Sequence, residues 1–222
     1  MRAMIRFGKE ARLRFISHLD LQRFFQRALN RTGLPIAYTQ GFNPHPILSF
    51  GSALALGWTS EYEILDVKLS VPMGRKRTED AMRAALPEDL PVLETRMVDD
   101  RHPAPMAQVV ASDYLIALPG DAIPRYHEAL KIFEERDSVM AIRKTKSGEK
   151  EIDIRPLALE TRAVGEGLWA RLKLTERDTL KPDLWLKALG ALIGEESPEA
   201  RIHRQCLLGV DSEGALKPLM EL

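Results

Sequence analysis

The order of hydrophobic patterns in this chain predicts an α+β fold of two βαββαβ halves in tandem, the second with an extra β-hairpin. Three observations lead there. Runs of period two and period 3.6 follow one another over residues 1–98 as strand, helix, two strands, helix and strand. A comparable order returns after residue 111, and a charged, proline-containing stretch over 99–111 separates the two. That order is the split βαβ arrangement of ferredoxin-like folds. The expected organisation is a first half over 1–100, a linker over 101–111 and a second half over 112–222. No residue-level repeat accompanies the duplication.

Each element has its own signal. Residues 1–15 alternate Ile5, Phe7, Leu13 and Phe15 across a charged turn at 8–10, as in a strand or hairpin with one buried face. A helix follows. Ser17 is a good N-cap, Asp20 is the acidic member of a capping box, and Leu21, Phe24, Phe25, Ala28 and Leu29 form an apolar stripe before Gly33 ends it. Residues 34–39 read as a strand, 47–56 and 63–71 as extended, 78–86 as a helix and 91–98 as a closing strand. In the second half, 113–119 reads as a strand and 123–136 as a helix with Tyr126, Leu130 and Phe133 inward. A hairpin pairs 139–145 with 151–155, and a second pairs 157–164 with 168–174. A helix over 182–193 and a strand over 200–207 complete the half.

Composition narrows the classes. The 222 residues are 45% hydrophobic with a net charge of zero, which excludes a disordered chain. There is no apolar run near membrane-spanning length and no signal-peptide pattern, so the expected location is the cytoplasm, with no membrane contact. Cys206 is the lone cysteine, which fits a reducing compartment and excludes a disulfide framework or thiolate cluster. No cofactor is expected, and any redox chemistry belongs to a partner. Charge is uneven along the chain: over residues 1–50, eight Lys and Arg stand against only Glu10 and Asp20. An acidic surplus follows over 51–140. This fits a polyanion meeting one face, although such asymmetry also occurs in proteins without that partner.

Two strings carry a resemblance. SHLD at 17–20 and QGFNPHP at 40–46, continued by LALGWTSEYEILDVKL, are similar to the radical-SAM-linked family of uncharacterised bacterial proteins. EIDIRP at 151–156 matches more loosely, and Trp58 and Thr59 depart from the more aliphatic or acidic residues of the family. Members of that family occur as separate chains or fused to the C-terminus of a cobalamin-type radical SAM protein. The resemblance implies a radical SAM protein as partner and a link to RNA or ribosome-related metabolism. It supplies no reaction and no catalytic residue.

The candidate site residues cluster between 15 and 46. His18 falls at the first position of the helix, where free amides and the positive dipole end favour an anion and a neutral ring. It can donate to phosphate or act as a general base, or it can simply pack against the strand and bond a carbonyl. Asp20 is explained by capping. Arg23, Arg27 and Arg31 recur every four residues, about 6 Å apart along the axis, a comb for a polyanion or a plain solvated face. In the loop 40–46, Gly41 permits positive φ, while Pro44 and Pro46 stiffen the chain around Asn43 and His45. If the loop joins two strands at the end where the helix starts, Gln40, Asn43, His45 and His18 form one polar pocket.

No metal-ligand spacing is present, and His102, His127 and His203 lack a constellation. Phosphate-loop, dinucleotide and serine-hydrolase motifs are missing. Arg143, Lys144, Lys146 and Lys150 around Ser147 and Gly148 make a basic finger, and Trp58, Trp169 and Trp185 read as packing anchors. Three functions remain open. The chain is an accessory module that binds RNA or another phosphate-bearing substrate through His18, Arg23, Arg27, Gln40, Asn43 and His45; or a metal-independent RNA-cleaving or RNA-modifying enzyme using His18 and His45 as catalytic candidates; or a protein–protein adaptor only.

Overall fold

The opening alternation makes one strand, β1 (Arg2–Lys9), not a hairpin, because the chain turns into a 3₁₀ helix over Ala11–Phe15. Ala11 enters that turn at φ 42°, and the ammonium of Lys9 donates to the carbonyls of Arg14 and Ile16 at 3.4 and 3.0 Å. The computed structural model describes residues 1–145 and 148–222. It is a mixed α+β arrangement with five α-helices among the described residues. None of those helices is long and apolar enough to cross a membrane.

The first helix is α1 (His18–Arg31). Its cap forms as the sequence requires: Asp20 N–H donates to Ser17 Oγ at 3.1 Å, and that hydroxyl donates to Asp20 Oδ2 at 2.7 Å. There follow β2 (Leu48–Phe50), β3 (Thr59–Lys68), α2 (Arg75–Ala85), β4 (Val92–Val98) and a short α3 (Pro105–Gln108) inside the expected linker. Next come β5 (Ala111–Ala117), α4 (Ile123–Glu134), β6 (Met140–Thr145), β7 (Gly148–Asp153), β8 (Ala158–Val164) and β9 (Gly167–Lys173). Last are α5 (Pro182–Leu192), β10 (Arg201–Val210) and β11 (Leu216–Pro218).

Two compact units result, one of Met1–Val109 with Cys206–Leu222, the other of Val110–Gln205. The segment after Gln205, expected in the second half, therefore belongs to the first unit. There its end is tied down: Met220 N–H donates to the Tyr62 hydroxyl at 3.1 Å, and Arg96 donates to the Met220 carbonyl at 3.1 Å.

In the first unit, β1 lies between β4 and β3, antiparallel to both, and β2 pairs antiparallel with β3. Alternation puts Ile5 and Phe7 with Leu65 and Val67 on the face that receives Leu21, Phe25 and Leu29 of α1. Phe7, Phe25 and Phe50 meet edge-on, with ring centres 4.8 Å apart for Phe7 and Phe25 and 5.7 Å for Phe25 and Phe50. In the second unit β9 lies between β5 and β8, antiparallel to both, and β6 and β7 form a separate hairpin. Tyr126 and Phe133 of α4 and Trp185 of α5 are fully buried, with Phe133 and Trp185 edge-on at 6.1 Å. Gly167 is obligatory: at φ 151°, an added Cβ would stand 2.2 Å from the Ile116 carbonyl oxygen.

The other face of the first unit's strands holds a buried carboxyl. Asp66, 4% exposed, meets Arg2 at 2.7 Å, yet its Oδ1 has no hydrogen-bond partner among the described residues. Burial outweighs Arg2 and raises its pKa to about 6. The folded state therefore holds a proton between about pH 4 and 6 that the unfolded chain has released. This stabilises the fold below the unfolded pKa, and the contribution is lost as pH rises through 6. Between pH 4 and pH 7, the stability of the Asp66→Asn protein should rise relative to the native chain by about 2 kcal/mol, read from urea midpoints. A pH-independent difference between the two would refute this assignment.

Candidate functional site

The richest chemistry gathers where β1 ends and α1 begins. Lys9 pairs in register with Ser60, and Phe7 with Glu63. Glu63 is in phase with Leu65 and Val67, so its carboxylate enters the same side as the apolar core. Lys9, Ser60 and Glu63 are 1%, 0% and 2% exposed. His18 stands over them. As the first residue of α1 it shares the inward side with Leu21 and Phe25, and its ring and that of Phe50 meet edge to face with centres 5.0 Å apart.

Burial lowers the His18 pKa, and Lys9 lowers it further, while Glu63 works in the opposite direction. The imidazole is therefore neutral at pH 7, able to accept a proton or to donate one hydrogen bond. Around it the rim is partly apolar. Gly57 of the β2–β3 connection donates to the Arg14 carbonyl at 2.8 Å, and Phe15, Leu19 and Leu56 are all more than half exposed. The Arg14 guanidinium lies over the Phe15 ring, 4.6 Å from its centre.

The arginines point elsewhere. Nine residues separate His18 from Arg27, which at 3.6 residues per turn is about 180° around the helix. Arg23, Arg27 and Arg31 are exposed on the outer side. Arg23 reaches Asp20 at 3.4 Å, and Arg31 donates to the carbonyls of Arg27 and Ala85, both at 3.3 Å. Arg27 has no ion pair among the described residues.

The loop 39–46 forms a third, separate feature. Thr39 N–H donates to the His45 carbonyl at 3.0 Å, and His45 N–H donates to Thr39 Oγ1 at 3.2 Å, closing the loop at its base. The His45 ring lies 3.3 Å from both Thr39 Oγ1 and the Asn43 carbonyl. Gln40, Asn43 and His45 are exposed, and Phe42 at the tip is wholly so. Tyr38 donates to Asn30 Oδ1 at 2.6 Å, which moors this base to the last turns of α1. His18 is twelve residues back along the helix, about 18 Å away at 1.5 Å per residue.

The shared pocket of His18 with Gln40, Asn43 and His45 is thus not formed. The condition for it fails because 34–39 is not a ladder strand: among the described residues it makes only the isolated bridges Ile36 with Leu69 and Tyr38 with Pro46. The loop is the α1–β2 connection, at the helix's far end. The connection that does join β2 to β3 is 51–58, beside His18.

Lys9 and Glu63 escaped the sequence reading. Their signal was present in the phase of the strands: Ile5, Phe7 and Lys9 form one inward series, and Glu63, Leu65 and Val67 another. Each ends in a charge at the same edge. In the hairpin, Asp153 accepts from Val139 N–H and Arg155 N–H, both at 3.0 Å, which fixes its base. Lys146 and Ser147 of the basic finger lie outside the described residues. Among the described residues, no three His, Cys, Asp or Glu converge as metal ligands.

A family model matches residues 2–182, which take in α1, the loop 39–46 and most of the second unit. The chain belongs to that family. It is the family of uncharacterized proteins conserved in bacteria, DUF2344. No protein of curated function matches the chain. Membership in this family therefore adds no reaction to the site.

Two substitutions should move the His18 titration in opposite directions in a ring-proton NMR experiment. Glu63→Gln removes the stabilising carboxylate and lowers the pKa further, while Lys9→Met removes a like charge and raises it. Shifts of one sign in both variants would mean that at least one of the two charges does not act on the ring as described.

Proposed function

We propose that this chain is a non-redox accessory module of a radical SAM protein, binding RNA or another phosphate-bearing substrate through its first unit. The observation that carries the reading is the outer side of α1, where Arg23, Arg27 and Arg31 stand exposed and, among the described residues, only Asp20 forms an ion pair with them. Guanidiniums at that spacing match a repeated anion, and each contact with a phosphate releases counterions. The SHLD and QGFNPHP strings support the radical SAM partner by resemblance. The lone Cys206, which forms no disulfide, supports a cytoplasmic setting.

In this reading each unit is a ferredoxin-like half. The strand orders support it: β4-β1-β3 with β2 on β3 in one unit and β5-β9-β8 in the other, with the β6–β7 hairpin as the addition. Such sheets serve RNA-binding proteins often, though a fold shared with them is support by analogy. The enzyme alternative that used His18 and His45 as an acid–base pair loses its geometry, since the rings sit at opposite ends of α1. His18 remains as a neutral group above Lys9 and Glu63, suited to orienting a bound anion.

Replacing Arg23 and Arg27 together by Glu should weaken binding of a single-stranded RNA. It should also flatten the dependence of log affinity on log salt by about 1.4, the equivalent of two phosphates. Filter binding over a series of salt concentrations measures both. Unchanged affinity and slope would reject the reading, and a salt-tolerant complex with a radical SAM protein but no RNA affinity would favour the adaptor instead.

A further inference from the structure

A groove of about 700 Å³ opens in the second unit between β6 and the start of α5. Four cations line it: Arg143 and Lys144 from β6, Lys181 just before α5, and Lys187 one turn and a half along it. Arg143 is anchored by donating to the Thr179 carbonyl. Lys144, Lys181 and Lys187 are exposed and have no ion pair among the described residues, whereas Lys173 of the same unit is held by Asp178 at 3.2 Å.

Asp183 is the one carboxylate in the lining, and its Oδ1 accepts from Leu184 N–H at 3.0 Å, turned onto the helix's own first turn. Glu149 and Glu151 stand across the hairpin from Lys144 and Ile142, but neither lines the groove. The 11-residue α5 adds its positive dipole end beside Lys181. Ile142, 54% exposed, and Leu184 give the groove an apolar floor. A volume in this range suits a small-molecule ligand, and the lining asks for one with several negative charges on a body that can lie on aliphatic carbon.

We infer that this groove is a second anion site, taking a nucleotide phosphate either free or within single-stranded RNA. The lysines and Arg143 meet the phosphate, and the sugar and base rest on Ile142 and Leu184. This site shares no residue with the α1 row, so each can fail without the other.

The test uses the full chain with three probes: uridine monophosphate, a single-stranded RNA decamer and a decamer of glutamate. Methyl NMR reads Ile142 and Leu184, and anisotropy reads RNA affinity in the native chain, in Lys181→Glu/Lys187→Glu and in Arg23→Glu/Arg27→Glu. The expected result is a methyl shift with a nucleotide probe and an affinity loss of about tenfold in the groove variant at moderate salt. Shifts with both nucleotide probes mean that the free nucleotide suffices, and shifts with the decamer alone mean that the polymer is required. No methyl shift with either nucleotide probe, or an equal shift with oligoglutamate, overturns the inference. RNA binding lost only in the α1 variant, with silent methyls, overturns the groove and leaves the first reading standing.

Discussion

Three phenylalanines fix where everything in the first unit points. Phe7 comes from β1, Phe25 from the middle of α1 and Phe50 from the end of β2, and they meet edge to face at 4.8, 5.7 and 6.4 Å. Edge contacts of this kind add about 0.5–1.5 kcal/mol each beyond the burial of the rings. Their larger effect is orientational. With Phe25 held between two strands, α1 cannot rotate about its axis. The inward side then carries His18 onto Phe50, and the outward side carries Arg23 and Arg27 into water. One packing constraint separates an imidazole chemistry from a guanidinium chemistry on a single helix.

The inward side holds a conflict that packing alone does not explain. Lys9 and Glu63 occupy positions that the strand phase reserves for apolar side chains, and removing two charges from water is costly. Well-packed aliphatic residues of the same size generally stabilise such a place as well or better. Lys9 recovers part of the cost by donating to two carbonyls of the 3₁₀ segment, which fixes the entry into α1. Glu63 bears on the charge of His18, raising its pKa against the effect of burial. The charge of Glu63 and the protonation of His18 are thereby coupled across the end of β1.

How much of this was legible depends on the range of the signal. The helix α1 was readable in full, because Ser17, Asp20, the apolar stripe and Gly33 act within a few residues of one another. The strand at 34–39 was not, although Leu34, Ile36 and Tyr38 alternate as a strand should. Pro35 has no N–H to give a ladder, and the segment makes only isolated bridges. That local failure moved the loop 40–46 from one end of the helix to the other and undid the expected pocket. The return of Cys206–Leu222 to the first unit was equally hidden, because the bonds of Met220 to Tyr62 and Arg96 join residues more than a hundred positions apart.

The charge asymmetry shows the same limit in another form. Along the chain, residues 1–50 are strongly basic, yet folding sets three of those cations against acids from later strands and turns. Arg2 meets Asp66 at 2.7 Å, Arg12 meets Asp89 at 2.8 Å, and Arg6 approaches Glu94 at 3.7 Å while lying over the Tyr62 ring. Lys9 is buried. Among the described residues of 1–50, the exposed cations without an acid from a later segment lie on one side of one helix, from Arg23 to Arg31. A field that narrow decays within about a Debye length at physiological salt, so it acts on a ligand that lies along the helix and not on one at a distance. A linear surplus of charge thus becomes a local feature, and its position is set by the three aromatic rings beneath it.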